Sequence, residues 1–258
     1  MEVVITAEEQ IGDLVADEFA ALLAAQPEAV VGLATGSSPL RIYDALAARV
    51  VAGTASFAHA RGFTLDEYVG LPAGHPCSYR TVIDEDFVSR VDFAPGAVRG
   101  PDGTAADLDA AAAEYDAAIG AAGGVDLQIL GIGTDGHIAF NEPGSSFASR
   151  TRVKTLTQQT RIDNARFFGG DVDAVPRHCL TQGLGTIMEA RRIVLVATGE
   201  GKAEAVQHMV EGAVSALWPA TILQHHPRVT VFLDEAAASR LQLADYYRDT
   251  YAHRHVAA

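Results

Sequence analysis

Short apolar runs alternate with longer amphipathic segments along this chain, and that alternation is the strongest constraint on its fold. Ala29–Ala34 (AVVGLA), Leu127–Gly131 (LQILG), Arg192–Ala197 (RIVLVA) and Val229–Leu233 (VTVFL) are apolar at nearly every position. Strands of that kind have no solvent face, so they read as buried and parallel. Phe63–Leu65 is a weaker fifth. Between them, Ala7–Ala25, Pro39–Val51, Asp107–Ala121 and Lys202–Glu211 have helical patterning, and the Ala-rich stretch 105–122 is a good helix former. The pattern predicts an α/β fold, an open, mainly parallel, doubly wound (Rossmann-like) sheet with helices on both faces. With no repeat or linker, residues 1–258 are expected to form one domain. Ligands of such sheets bind beyond the carboxyl ends of the strands.

Composition narrows the partners. The net charge is −14, from 33 acids against 19 bases. A nucleic-acid or anionic membrane surface would need excess Lys and Arg, so neither is expected. An anionic ligand would need a local gathering of the few bases. Cys77 and Cys179 form no CxxC pair, which argues against a disulfide framework or structural zinc. The N-terminus shows no basic region before an apolar core, and no apolar run approaches the roughly 20 residues of a membrane span. A cytoplasmic setting is the expectation.

Three loops following strands carry chemically useful residues. In LATGSSPL, Thr35, Gly36, Ser37 and Ser38 lead into a helix, with Ser38-Pro39 resembling an N-cap and first helical residue. Backbone N–H groups and hydroxyls there suit a phosphate, although a plain capped turn has the same composition. In VATGEGKAEAV, Lys202 falls in the first helical turn, where a cation opposes the helix dipole unless an anion lies between them; a solvated surface lysine is the alternative. FTLDEYVGL sets Asp66 beside Glu67 at a strand end. One of these acids could act as a general base, and a solvent-facing acidic turn is the other reading.

The densest stretch is GTDGHIAFNEP, with Asp135, His137 and Glu142 within eight residues. GIGTDG formally matches G-x-G-x-x-G, but Pro143 and Gly144 deny the helix that a dinucleotide site requires. Metal ligation lacks a second imidazole and HExxH-type spacing, so no metal is expected. Two readings remain from the residues alone: a carboxylate–imidazole–carboxylate proton relay, or a loop histidine satisfying backbone carbonyls.

Taken together, TGSSPL, FTLDEYVGLPAGHPCSYR, GIGTDGHIAFNEPGSSFASRTRVKTLT, TRIDNARFF, VPRHCLTQGLGTIMEA and LQHHPRVTVFLDE resemble glucosamine-6-phosphate deaminases over roughly residues 28–235. The resemblance implies conversion of D-glucosamine 6-phosphate and water to D-fructose 6-phosphate and ammonia, without metal or organic cofactor. It implies a hydrolase with isomerase-type proton transfer, acting in amino-sugar catabolism. By motif, Asp66 would move the C2 proton to C1, and His137, held between Asp135 and Glu142, would assist ring opening. Thr35, Gly36, Ser37, Ser38, Arg166 and Lys202 would bind the phosphate. A mobile lid would span about 156–179.

Some members of that family are hexamers activated by N-acetylglucosamine 6-phosphate. Ser145, Arg152, Lys154 and Thr155 match that effector site, so the resemblance permits an effector and a homo-oligomer, a hexamer if the chain is of the allosteric type. Two rival readings are a 6-phosphogluconolactonase-like hydrolase, whose related DGH loop lacks the FNEP block, and a non-catalytic sugar-phosphate sensor. Glu142 and the acid of DEYVGL favour the deaminase over the first. Retention of Asp66, Asp135, His137 and Glu142 without an added DNA-binding domain favours it over the second.

Overall fold

Ten strands follow in chain order: β1 (Glu2–Ile5), β2 (Val30–Leu33), β3 (Arg61–Thr64), β4 (Asp66–Tyr68), β5 (Val98–Arg99), β6 (Leu127–Leu130), β7 (Arg152–Thr155), β8 (His178–Thr181), β9 (Ile193–Ala197) and β10 (Val229–Leu233). The computed structural model describes residues 1–254. Seven strands, each parallel to its neighbours, form one sheet in the order β1-β10-β9-β6-β2-β3-β5. Helices α1 (Glu8–Ala25), α2 (Leu40–Val51), α3 (Tyr79–Asp86), α4 (Leu108–Ala121), α5 (Gln158–Asn164), α6 (Leu184–Met188), α7 (Ala203–Glu211) and α8 (Ala244–Ala252), with four short 3-10 turns, make up the rest of the regular structure among the described residues. None is long and apolar enough to cross a membrane.

The helices form where one face can be buried. In α1, Ile11, Val15, Phe19 and Leu23 recur every four residues and are all buried, while Glu8 and Glu9 complement the dipole in its first turn. Each such buried side chain contributes about 1.5–3 kcal/mol relative to exposure. Asp107 caps α4 by accepting from the Ala110 N–H at 2.9 Å. The expected cap of α2 is corrected. That helix opens at Leu40, with Pro39 in helical conformation before it and no side-chain cap, so the helix makes no use of the Ser38 hydroxyl.

A second sheet, in the antiparallel order β4-β8-β7, was not visible in the apolar pattern. Its β4 is the acidic DEY, and β7 is the half-exposed, basic RVKT. In the main sheet, the chain passes from β2 outward to β3 and β5, then returns to place β6 on the other side of β2. The crevice between β2 and β6 is therefore a topological switch point, the place where open α/β sheets bind ligands.

Candidate active site

A cleft of about 670 Å³ opens at that crevice, within the range usual for small-molecule sites. Thr35, Gly36, Ser37 and Ser38 line it from the end of β2, and Gly131–Thr134 with His137 line it from the end of β6. Asp66 enters beside the end of β3, Thr198 and Lys202 beyond β9, and Arg166 from the 3-10 turn Ala165–Phe168. The dispersed loops thus meet because their strands are neighbours in one parallel sheet.

One end of the cleft gathers hydroxyls and two cations, a composition that suits an anion. Gly36 has φ +93°, a conformation glycine adopts without a Cβ penalty, and it lets the loop turn its backbone inward. Among the described residues, the hydroxyls of Thr35, Ser37 and Ser38 make no hydrogen bond within the protein, and neither Arg166 nor Lys202 has an acid within ion-pair distance. The Arg166 guanidinium lies 4.7 Å from the centre of the Phe167 ring. Burial lowers the Lys202 ammonium from its ordinary value, Asp163 opposes that, and the charge of Arg166 adds to it. A dianion placed among these groups would satisfy both cations and relieve their repulsion. Asp234 fixes the turn before Lys202 by accepting from the Gly199 N–H at 3.0 Å.

At the other loop the three side chains Asp135, His137 and Glu142 come together. His137 Nδ1 lies 2.7 Å from Asp135 Oδ1 and 3.7 Å from Glu142 Oε2. With Nδ1–H donated to Asp135, Nε2 is left without a protein partner among the described residues. Burial pushes the Asp135 carboxyl up, but the hydrogen bond and charge of His137 outweigh it and hold the group below its usual range. Gly133 and Gly136 shape this turn. A Cβ at Gly133 would overlap the His137 ring, and one at Gly136 would press on Trp218, which stacks on His208 with ring centroids 4.0 Å apart. The ligand atoms of Asp135, His137 and Glu142 lie within 4.8 Å of one another, a spacing that could also hold a cation. Nδ1 is the nitrogen turned towards both carboxylates, so a cation there would have to displace the proton shared with Asp135.

The adjacent acids have separate tasks. Glu67 accepts from the N–H groups of Tyr68, Tyr79 and Arg80 at 2.8–2.9 Å, closing the N-terminus of α3. Asp66 is 7% exposed, lines the cleft and has no side-chain hydrogen bond among the described residues. Burial, with Glu67 adding to it, raises its carboxyl from 3.8 to about 8.

The sequence pattern of glucosamine-6-phosphate isomerases/6-phosphogluconolactonase matches residues 6–232. The chain belongs to the glucosamine-6-phosphate isomerase/6-phosphogluconolactonase family. Both names are those of enzymes acting on sugar phosphates. Glucosamine-6-phosphate deaminase of Beutenbergia cavernae is 73% identical over 253 residues, which is 98% of this chain and 97% of that one. A solved monomeric glucosamine-6-phosphate deaminase superposes with TM-score 0.90 at 41% identity, over 93% of this chain and 99% of that one. The 6-phosphogluconolactonase from Trypanosoma cruzi has TM-score 0.75 at 20% identity, over 93% of this chain and 97% of that one, and shows the shared fold alone. One expectation is corrected by these relatives. They are named deaminases within a family of isomerases, an isomerising type of chemistry, and the hydrolase class is withdrawn.

Within this family framework, not every expected residue reaches the cleft. Asp135 and Glu142 stand behind His137. Ser145 is buried and donates its hydroxyl to the Glu142 carbonyl at 2.7 Å, whereas Arg152, Lys154 and Thr155 lie on β7, an edge of the small sheet, outside the cleft. Sequence reasoning missed Thr198, although its ATG turn repeats the pattern of the ATG turn at Thr35. It also missed the cap made by Glu67.

Proposed function

We propose that this chain converts D-glucosamine 6-phosphate and water to D-fructose 6-phosphate and ammonia. The observation that carries the reading is one cleft lined by a carboxylate and two cations that have no ion-pair or hydrogen-bonding acid or base partner among the described residues, with an imidazole backed by two acids. A pyranose has no free carbonyl, so its C2 proton is not acidic until the ring opens. His137 Nε2 carries a proton from O1 to O5 as the C1–O5 bond breaks and the C1 carbonyl forms. Asp66 then takes the C2 proton while O1 is protonated, which gives an enolamine. Return of the proton to C1 leaves a C=N bond at C2; water adds there and ammonia departs. Each positioned acid or base typically contributes about 10²–10⁴-fold. The phosphate, gripped by Thr35–Ser38, Arg166 and Lys202, fixes C1 and C2 against these groups.

Residues 156–179 act as a lid over the phosphate end within a single-domain chain. Arg161 supports this by donating to the carbonyls of Val172 and Val175 at 2.6 and 3.3 Å, which holds the two halves of the segment together as one unit. Gly169 and Gly170, with φ +66° and +86°, supply a backbone turn open to few other residues. For Ser145, Arg152, Lys154 and Thr155, N-acetylglucosamine 6-phosphate is the effector reading, joined to assembly as a hexamer. Arg152 favours it, being half-buried without an acid in ion-pair distance among the described residues. The unpaired thiols of Cys77 and Cys179 accord with a reducing cytoplasm.

The test measures ammonia and fructose 6-phosphate released from glucosamine 6-phosphate, with and without N-acetylglucosamine 6-phosphate, beside lactone consumption from 6-phosphogluconolactone. Equal yields of both products are expected. Lactone turnover without ammonia would replace the reading with the lactonase, and activity indifferent to the effector would remove the β7 site.

A further inference from the structure

Thr157 stands where the helix leading to Arg166 meets the acid behind His137. Its backbone N–H and its hydroxyl donate to Glu142 Oε1 at 3.2 and 3.4 Å. The same hydroxyl oxygen accepts from the Thr160 N–H at 3.1 Å, which caps α5. The Thr160 hydroxyl lies 3.0 Å away as well, and one hydroxyl serves all three when Thr160 Oγ1–H donates to it, because its two lone pairs then take the Thr160 groups and its one proton goes to Glu142. From that cap α5 runs directly into the turn Ala165–Phe168, which carries Arg166, and Thr160 and Asn164 on the way line the cleft. The other Glu142 oxygen, Oε2, is buried without a hydrogen-bond partner and lies 3.7 Å from His137 Nδ1, short of a hydrogen bond. A buried carboxylate oxygen left in that condition is costly, and a small pivot about Oε1 would bring it onto the imidazole.

We propose that Thr157 is a positioning residue that aims Glu142 at His137, so that the segment gripping the phosphate and the acid behind the imidazole move together. The inference rests on the deaminase reading above. Its chemical consequence is that binding energy at the phosphate end is expressed at the ring-opening end, as a rate and not only as affinity.

The experiment compares the full chain with Thr157→Val, Thr157→Ser, Thr157→Asp, Glu142→Gln and the Glu142→Gln/Thr157→Val double variant. Steady-state deamination is read beside binding of the acyclic 2-amino-2-deoxyglucitol 6-phosphate, which needs no ring opening. Thr157→Val is expected to lower kcat about tenfold, the worth of one hydrogen bond to a charged group. KM and the affinity for the acyclic phosphate should stay within about twofold, because the phosphate ligands are untouched. Thr157→Ser should restore the rate. Thr157→Asp keeps the helix cap but sets a carboxylate beside Glu142, so it should fold and lose more activity than the valine variant. In the Glu142→Gln background Thr157→Val should add nothing, because no carboxylate remains there for Thr157 to aim at the imidazole. A wild-type chain that releases no ammonia would overturn the deaminase reading and the coupling with it. An active wild type in which Thr157→Val only raises KM, or multiplies the loss of Glu142→Gln, would overturn the coupling alone.

Discussion

Replacing Asp66 with asparagine removes a charge from the cleft while keeping its shape, and the consequence reaches stability as well as catalysis. The folded chain holds the Asp66 proton up to about 8, against 3.8 for the free side chain. Between those values the native state binds a proton that the unfolded state has released, so stability falls as pH rises. Each tenfold change in proton affinity is worth about 1.4 kcal/mol, which sets a full cost of about 6 kcal/mol above pH 8 and about 4 kcal/mol at pH 7. These are ceilings, because Asp66 borders the cleft and water reaches its edge. Asparagine cannot ionise, so Asp66→Asn should match the wild type near pH 4 and become progressively more stable than it towards pH 8. Denaturant melts at unit intervals from pH 4 to 9 read this as a widening gap in midpoint. The same variant should bind substrate and lose exchange of the C2 proton with solvent by about 10²–10⁴-fold. In the wild type, kcat/KM should climb with pH towards an inflection near 8 as the free base ionises. Parallel pH–stability curves for the two proteins, or undiminished C2 exchange, would refute the argument.

Other consequences can be checked by kinetics. His137→Gln should lower kcat by about 10²–10⁴-fold with little change in KM, measured as ammonia release; a change confined to KM would remove it from ring opening. Lys202→Ala should raise KM about 10–100-fold, the loss of a charge-assisted contact to the phosphate, and an unaltered KM would take it out of the anion site. Gly133→Ala should displace the His137 ring, lowering kcat while the acyclic phosphate binds as before.

The main sheet was legible because its strands are buried on both faces. Val229–Leu233 was read at its observed limits, and Ile193–Ala197 within one residue. The small antiparallel sheet was not legible, since DEY and RVKT look like surface turns until Tyr68, Phe140 and Val175 gather a second core beside them. The division of labour between Asp66 and Glu67 was hidden from the residues themselves, and only the motif resemblance singled out Asp66. Successive residues of a strand point to opposite faces, so one acid meets the cleft and the other the end of α3, but composition cannot say which. The Asp135–His137 pairing was within reach because two residues of one tight turn must lie close. Thr157 was out of reach, because its tie to Glu142 spans fifteen residues and exists only once α5 has packed.

The absence of a side chain at Gly133 matters for how such a protein could change its trade. The anion cradle at β2 and β9 shares no residue with the turn that seats His137. A single methyl group there would unseat the imidazole and leave the phosphate grip whole. Such a chain would still recognise its sugar phosphate and no longer consume it, which is what a sensor requires. One route from metabolism to signalling on this scaffold therefore runs through a glycine that takes no part in the chemistry.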